Sequence, residues 1–375
     1  MSKNVFPTML QLLTKILFIY PFIFIYGLIR SFFIRKKKMD EPIDFVVTWV
    51  DGNDKQWQAE KNKYLSDNKK ERYDNNEERY REWDLFKYWF RAVEKYAPWV
   101  NKVYFITWGH IPTWLNTDCE KLVIVKHCDY MDKAFLPTFS SIPIEMNFHK
   151  INGLNEHFVY FNDDMFINSH VMPEDFFQAG LPLVCSMAKP VIPVRDNTVF
   201  RHQLFSAAGL MNGNEWSKVI KRNPHKWFYW KYGLGLVQNW AVLQKGYLLG
   251  MEFTHLCQSF RKSTMKKVWD KFQTEMTTAS MNKFRQATDP NHQLFTIQEI
   301  VDGNYIPMTK QSLGKHFWQI STQFNKIANT LHNNNVKIIC INDDRDINAD
   351  NFEHFQSELH KIFEEKFPKK SFFEN

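Results

Sequence analysis

Short apolar runs rich in β-branched and aromatic residues recur along the chain, and each gives way to turn or polar residues. These runs occupy residues 43–50, 103–108, 122–126, 158–161 and 336–341. Their length and composition are typical of buried β-strands. The first run stops at the segment Asp51-Gly52-Asn53-Asp54, which is a strong turn signal. The pattern therefore predicts strands that lead directly into polar loops.

Helical periodicity occupies the intervals between these runs. Phe86, Phe90 and Val93 recur at helical spacing, Pro98 ends that pattern, and a second helical stretch surrounds residues 144–151. Strands that alternate with helices indicate an α/β fold with a mostly parallel sheet flanked by helices. Such sheets place ligand sites at the carboxyl ends of their strands.

The second half of the chain has a different pattern. Between about residues 173 and 335 it is helical and basic, which predicts a helical insertion, and residues 336–375 predict a closing strand and helix. Asp350 with Glu353 forms a capping-box pattern at the start of that helix. Its apolar face is predicted to consist of Phe352, Phe355, Leu359, Ile362 and Phe363.

Residues 1–38 carry the membrane signal of the sequence. Residues 5–34 are strongly apolar, but Lys15 interrupts them and Arg30 closes an uncharged run of only 14 residues. That run is short for a spanning helix, whereas a helix lying in the membrane plane needs no such length, and both readings stay open. The basic residues 35–38 are expected to hold the rest of the chain, residues 39–375, on the cytoplasmic side. No small-residue cleavage site follows, so we expect no removable signal peptide.

Composition and charge narrow the classes of partner. The chain has 375 residues, 44% of them hydrophobic, and a formal charge of +7. Much of the positive excess lies in residues 35–38 and 369–370, without an arginine-rich recognition motif. A phosphate-bearing substrate or an anionic membrane explains it better than nucleic acid does. The five cysteines are scattered and lack CxxC spacing, which argues against a disulfide framework or a zinc site.

Two acidic loops carry the clearest candidate chemistry. Asp51 follows the first predicted strand, and Asn162, Asp163 and Asp164 follow the strand at residues 158–161. A divalent cation that bridges two phosphates requires hard oxygen ligands on a rigid backbone. Paired acids after a strand are equally often a turn or a helix cap, so spacing alone leaves both interpretations open.

Other polar residues are unremarkable by their local sequence. Glu145 and His149 are four apart and are predicted to share a helical face, more often a solvated face than a lined cleft. By default, His255 is a hydrogen-bonded core histidine and Arg285 is a surface arginine. The acidic run from Asn342 to Glu353 approximates a calcium loop, but Asn replaces its first Asp and Ile347 replaces its turn glycine. We therefore expect no calcium there.

Four longer blocks together resemble the Stealth family of sugar-phosphate transferases. They are IDFVVTWVDGND at 43–54, the segment 79–116 with YREWDLFKYWFRAVEKYAPWV, LPTFSSIPIEMNFHKINGLNEHFVYFNDDMFI at 136–167 with the following PEDFF, and IICINDDRD at 338–346. The family includes bacterial capsular polysaccharide phosphotransferases and the catalytic part of the lysosomal-enzyme N-acetylglucosamine-1-phosphotransferase. The resemblance covers nearly all of the chain beyond residue 42.

The resemblance implies an active site. Glu145, Asp164, His255 and Arg285 match the family's catalytic positions. The resemblance and the loop chemistry together assign Asp164, supported by Asn162 and Asp163, to a metal or to the donor phosphate, with Asp163 and Asp164 as the candidate metal ligands. His255 is the candidate general base, and Glu145 orients the acceptor or shares the role of base. Arg285 would stabilise charge on the transferred phosphoryl group. The expected donor-binding residues are Asp51, Asn162, Asp163, Asn342 and Asp343.

The expected reaction transfers a sugar 1-phosphate from a nucleotide sugar, with UDP as the expected nucleotide, to a hydroxyl of a growing capsular polysaccharide. It releases a nucleoside monophosphate and uses Mg²⁺ or Mn²⁺. The expected location is the cytoplasmic face of the bacterial inner membrane, beside the capsule assembly machinery. Two alternatives stay open, a metal-dependent glycosyltransferase that releases a nucleoside diphosphate and a non-catalytic capsule-assembly or carbohydrate-binding protein.

Overall fold

The computed structural model describes residues 14–65, 81–193, 199–343, 347 and 349–375. The expectations for residues 5–13 and for Asp344, Asp346 and Asn348 lie outside these residues. The strands in the described part are β1 Ile43–Trp49, β2 Val103–Thr107, β3 Leu122–Lys126, β4 His157–Phe161, β5 Met165–Ile167, β6 Phe177–Gln178, β7 Leu181–Val184, β8 Gln258–Arg261, β9 Ile306–Pro307, β10 Gly314–Phe317 and β11 Ile338–Ile341.

Helices surround these strands and fill most of the second half of the chain. Those of the first half are α1 Tyr20–Ser31, which follows a π-helical turn at Lys15–Ile19, α2 Lys55–Tyr64, α3 Phe86–Tyr96, α4 His127–Tyr130 and α5 Ser141–Met146. The later helices are α6 Val199–Met211, α7 Trp216–Arg222, α8 Pro224–Trp227, α9 Gly235–Lys245, α10 Lys262–Lys271, α11 Gln273–Met281, α12 Gln293–Asp302, α13 Ile320–Leu331 and α14 Ala349–Lys366.

A central five-stranded sheet confirms the prediction of a mostly parallel α/β fold. Its strand order is β3-β2-β1-β4-β8, in which only β8 runs antiparallel to its neighbour. The β-branched and aromatic side chains of β2 and β4, and most of those of β1, are buried on both faces, as is usual for a parallel sheet covered by helices. Phe45, fully buried in β1, packs against Phe161 of β4 and Trp89 of α3 at ring distances of 4.9 and 6.5 Å.

A second sheet places the end of the chain beside the central one. Its order is β10-β11-β5, and β5 follows β4 after the Asn162–Asp164 turn. The backbone N–H of Ile341, at the end of β11, donates to the carbonyl of Asp164 at 2.9 Å. This bond holds the segment after β11 next to the turn after β4.

The C-terminal tail is clamped to α3 by a buried ion pair. Arg91 donates from Nε and Nη2 to Glu374 at 2.9 and 2.8 Å, and from Nη1 to the carbonyl of Phe367 at 2.7 Å. Glu364 of α14 also lies within 3.1 Å of Arg91. The last strand and helix are therefore fastened to the helix that covers β1.

Several local predictions were wrong. Helix α5 ends at Met146, so Glu145 and His149 do not share a helical face; Glu145 is buried, whereas His149 lies in a separate 3₁₀ turn at Phe148–Lys150. Helix α14 begins at Ala349, before the expected cap residue Asp350. The region expected to be helical also contains the short strands β6 to β10, of which β8 joins the central sheet without a clear strand pattern in its four residues. Among the described residues, no helix combines the length and the apolar character needed to cross a membrane.

Candidate active site

Register explains how Asp164 and His255 meet. In the antiparallel pair of β4 and β8, Tyr160 lies opposite Gln258. Because antiparallel strands run in opposite directions, the residues after Tyr160 face the residues before Gln258. His255 therefore reaches the acidic turn, and its Nε2 lies 3.7 Å from Asp164 Oδ2. Both side chains are partly exposed, so the expectation of a core histidine was wrong for His255.

Strands β10 and β11 and the residue that follows β11 complete this cluster. The His316 ring of β10 lies 4.6 Å from the His255 ring. His316 Nε2 and Cys340 Sγ both lie within hydrogen-bonding distance of Asn342 Oδ1, at 3.1 and 3.2 Å. Burial, and then the neighbouring His255, lower the pKa of His316 to about 3, so its imidazole is neutral at physiological pH.

Glu145 forms the centre of a second, more deeply buried cluster. Its Oε2 lies 2.7 Å from His292 Nδ1, and its Oε1 accepts a hydrogen bond from the Tyr160 hydroxyl at 3.1 Å. Arg285 Nη2 donates to Ser141 Oγ at 3.1 Å. Burial alone would raise the pKa of Glu145, but His292, Arg285 and Ser141 outweigh it and lower the pKa. Glu145 is thus an ionised buried carboxylate, which contradicts the solvated-face interpretation.

Tyr160 and Phe253 link the two clusters. The Tyr160 hydroxyl lies 2.5 Å from Asn162 Oδ1 as well as beside Glu145, so one hydroxyl joins the buried carboxylate to the acidic turn. The Phe253 ring lies 5.5 Å from His292 and 5.8 Å from His255. The candidate catalytic residues Glu145, Asp164 and His255 therefore belong to one continuous region around the carboxyl end of β4.

Asp163 lies in a strongly acidic environment. It keeps contact with solvent, yet burial by surrounding protein, followed by the charges of Asp164 and Glu82, raises its pKa to about 8. Asp164 Oδ1 is buried without a hydrogen-bond partner among the described residues. A cation or a phosphate-bound metal would relieve both the repulsion and the unmet hydrogen-bonding capacity.

The remaining donor-binding candidates lie at the edge of this region. The Asp51 backbone N–H donates to His110 Nε2 at 2.8 Å, while its side chain accepts from the Asn53 N–H at 2.9 Å and so stabilises the turn. Its charge contributes to the raised pKa of Glu82, where burial is the largest cause. Arg81 Nε lies 3.5 Å from Asp343 Oδ2, which brings a cation to the segment after β11.

The region contains two kinds of potential metal ligand. Asp163 and Asp164 offer the hard oxygen ligands that Mg²⁺ or Mn²⁺ prefers. His255, His316 and Cys340 offer two nitrogens and one sulfur that all lie within 4.8 Å of one another. That second set suits a softer ion such as Zn²⁺. The spacing of the cysteines in the sequence gave no sign of this second set, because its three residues come from separate segments of the chain.

Sequence reasoning missed several residues of the region. His292 lies against Glu145, Tyr160 joins the clusters and His316 contacts His255. The only available signal was for Tyr160, which lies two residues before Asn162 on a strand and therefore on the same face. No local pattern distinguishes His292 or His316 from other histidines.

Comparison with known proteins places the chain in a family. Profiles of three Stealth protein conserved regions match it, region 1 at residues 41–69, region 2 at 79–183 and region 3 at 254–294. The capsular polysaccharide phosphotransferase WcwK of Streptococcus pneumoniae is 43% identical over 334 residues, which are 89% of this chain and 98% of the relative. The chain belongs to the Stealth family.

Two further relatives support this assignment. The receptor polysaccharide phosphotransferase WefC of Streptococcus gordonii is 37% identical over 90% of this chain and 100% of its own length. An exopolysaccharide phosphotransferase of Lactiplantibacillus plantarum is 38% identical over 88% of this chain and 96% of its own length. Identity of this extent to phosphotransferases shows that this Stealth protein is a transferase.

The conserved regions contain most of the candidate residues. Region 2 includes Glu145 and the Asn162–Asp164 turn, and region 3 includes His255, Arg285 and the unanticipated His292. His316, Asn342 and Asp343 lie beyond all three matched segments.

Proposed function

We propose that this Stealth protein transfers a sugar 1-phosphate from a nucleotide sugar, expected to be a UDP-sugar, to a hydroxyl of a capsular polysaccharide. The observation that carries the proposal is the pairing of His255 with Asp164 at the carboxyl end of β4, 3.7 Å apart and beside the buried Glu145 cluster. The polysaccharide phosphotransferases that match this chain support the same reaction class.

The donor phosphates are proposed to bind where the two acidic turns meet the segment after β11. In this region, Arg81 Nη1 is buried and has no hydrogen-bond partner among the described residues. An unpartnered guanidinium nitrogen is a strong site for a phosphate oxygen. Asp51, Asn162, Asn342 and Asp343 surround the nucleotide sugar in this proposal.

His255 acts as the general base for the acceptor. The hydroxyl oxygen attacks the phosphorus attached to the sugar while its proton passes to a ring nitrogen of His255. A new P–O bond forms, and the bond between that phosphorus and the bridging oxygen breaks. The nucleoside monophosphate leaves with the bridging oxygen, and the anomeric C–O bond stays intact. Asp164 stabilises the imidazolium that forms, because its carboxylate lies 3.7 Å from Nε2.

Glu145 and Arg285 hold the opposite side of the reacting group. Glu145 is ionised and bound by His292 and Tyr160, so it can accept a hydrogen bond from an acceptor hydroxyl without rearranging. Arg285 supplies positive charge next to it and stabilises charge on the transferred phosphoryl group.

A divalent cation fits the acidic turn. Asp163 and Asp164 would hold it, since Asp164 Oδ2 faces His255 while Oδ1 is without a partner among the described residues. When bound, Mg²⁺ or Mn²⁺ neutralises the pyrophosphate of the donor and so improves the leaving group.

The test is an assay of the purified protein with a panel of nucleotide sugars and a soluble capsule oligosaccharide. The proposal predicts release of a nucleoside monophosphate and a new phosphodiester in the product, detected by ³¹P NMR. A nucleoside diphosphate with no phosphodiester would instead establish the glycosyltransferase alternative. Lack of turnover with every donor, together with unchanged capsule production when Asp164→Asn replaces the wild-type chain in cells, would establish a non-catalytic role.

A further inference from the structure

The outward face of α1 is apolar and open to solvent. Phe22, Ile25 and Ile29 recur at helical spacing, and 70%, 53% and 54% of their surfaces are exposed. The turn before the helix and the residues after it continue this face with Leu17, Phe18 and Phe33, which are 61%, 70% and 72% exposed. A continuous exposed apolar face of this length marks an interaction surface.

The inward face of α1 is packed against the helical part of the protein. The Phe24 ring lies 5.0 Å from Phe228 and 5.5 Å from Trp240. The Trp230 N–H donates to Ser31 Oγ at 3.0 Å near the other end of the helix. Gly27 permits close approach, because a Cβ there would lie 2.6 Å from the carbonyl oxygen of Pro224. These contacts hold α1 lengthwise along the domain.

A second apolar element adjoins α1. Trp230 lies in a 3₁₀ turn before α9, and Leu234 and Val237 lie at the start of α9; their surfaces are 40%, 90% and 67% exposed. The Phe32 ring stacks on Trp230 at 5.0 Å, which makes the two exposed surfaces continuous. Trp240, which contacts Phe24, is one helical turn after Val237 on α9. Residues far apart in the sequence thus build one apolar surface.

The chain segments that build this surface are basic, and the acids nearest to them in the sequence, Asp40 and Glu215, pair with Lys38 and Lys218. Residues 14–38 and 216–250, which supply it, contain 12 lysines and arginines and no aspartate or glutamate. Arg30 lies over the ring of Tyr26, and Lys231 lies over the ring of Trp230, so cations border the apolar side chains directly. An apolar surface bordered by basic residues matches the acyl region and the anionic headgroups of a lipid bilayer.

We propose that α1 and the Trp230–Val237 segment form one docking surface that lies in the interface of an anionic bilayer. In this arrangement α1 is parallel to the membrane plane, because its inward face is fixed to the domain along its length. A second copy of the chain is a poorer occupant, since a symmetric contact would bring like-charged basic borders together.

Vesicle flotation of the full-length protein tests the surface. Vesicles of phosphatidylglycerol and phosphatidylcholine should bind it, and binding should weaken with salt and with removal of phosphatidylglycerol. The paired substitution Leu234→Asp and Val237→Asp should reduce binding about tenfold or more although residues 1–38 are intact, because two negative charges replace apolar side chains in the surface that faces the anionic bilayer. Phe22→Asp with Ile29→Asp should do the same from the other element.

Met172→Asp is the matched control, because Met172 is 55% exposed but lies in a different part of the chain. It should leave vesicle binding unchanged. Circular dichroism and activity on a soluble oligosaccharide verify that each variant is folded. The proposal is overturned if the Leu234 and Val237 variant binds vesicles as well as the wild type does. It is also overturned if the wild type ignores vesicles and instead forms dimers that the same substitutions dissociate.

Discussion

His255 Nε2 lies 3.7 Å from Asp164 Oδ2, although 91 positions separate the two residues along the chain. The pairing follows from the antiparallel register of β4 and β8, in which Tyr160 faces Gln258. A partly exposed imidazole beside a carboxylate at the carboxyl end of a strand is suited to proton transfer.

Asp164→Asn should reduce turnover about a hundredfold or more, because an amide keeps the size of the side chain but removes the charge that faces His255. The free energy of unfolding should change by less than about 1 kcal/mol, since the side chain lies at a partly open site. Steady-state assays and thermal unfolding measure both. Asp270→Asn, which alters an exposed ion pair with Lys266, is the control and should affect neither quantity. Wild-type turnover in the Asp164 variant would exclude this carboxylate from the reaction.

His255→Ala and Arg285→Ala should each lower turnover roughly a hundredfold, in line with the loss of a base and of a charge-stabilising donor. Their double mutant should lose much less than the product of the two effects, because residues that act on the same step are not independent. Single-mutant rates close to the wild type, in protein shown to be folded by circular dichroism, would contradict the proposed roles.

Tyr160→Phe should reduce turnover by about tenfold, because the missing hydroxyl leaves Glu145 and Asn162 less firmly oriented. The ring would keep its contact with Phe148 at 5.1 Å, so the packing should survive. Tyr130→Phe is a matched control, because it also removes a tyrosine hydroxyl. The Tyr130 hydroxyl donates to the backbone carbonyl of Ile144 at 3.2 Å. Equal effects of the two substitutions on turnover would indicate a general structural role for Tyr160.

Removal of divalent cations with a chelator should abolish transfer, and Mg²⁺ or Mn²⁺ should restore it. Asp163→Asn should raise the cation concentration that gives half-maximal activity, because one hard oxygen ligand of the proposed site is lost. Titration of activity against added metal measures this change, with Asp118→Asn, an exposed acid elsewhere, as control. Full activity after exhaustive chelation would refute the metal requirement.

Glu374→Gln should lower the free energy of unfolding at neutral pH by about 2 kcal/mol, because it removes the charge bound by the buried Arg91. Burial alone would raise the pKa of Glu374, but Arg91 and Ser371 outweigh it and lower the pKa. The stabilisation is therefore present above the ordinary glutamate pKa of about 4.3 and is lost as the pH falls through the lower folded value.

Denaturant unfolding of wild type and the Glu374 variant between neutral and strongly acidic pH checks this expectation. The difference between the two proteins should shrink on acidification. Glu358→Gln, which alters an exposed pair with Lys361, should change stability by less than about 0.5 kcal/mol at any pH. A difference for Glu374→Gln that is constant with pH would show that its carboxylate charge is not what stabilises the fold.

Local sequence pattern determined the central sheet and its acidic turns. Strand β3 begins and ends where the apolar run predicts, and β1, β2 and β4 differ from their runs by one residue. Buried parallel strands need continuous apolar side chains, so each strand is recognisable from its own residues. The placement of Asp51 and the Asn162–Asp164 turn beyond the same edge of the sheet was also predictable, because β1 and β4 are parallel. In contrast, β8 is short, lies at the edge of the sheet and has a mixed composition, so its own residues do not predict a strand. Its hydrogen bonds to β4 hold it in the extended conformation.

Tertiary structure alone decided which side chains share the site. His255, His316 and Cys340 come from three segments that only strand pairing brings within 4.8 Å, and none has a local signal. The ionisation of Glu145 likewise depends on His292 and Arg285, which are more than a hundred positions away. Periodicity reports the burial of neighbouring residues, whereas charge, pKa and ligand geometry arise from atoms that meet through the fold. The sequence by itself therefore determined the strands and the edge of the sheet where the candidate site lies, and the packing of distant segments decided which side chains meet there.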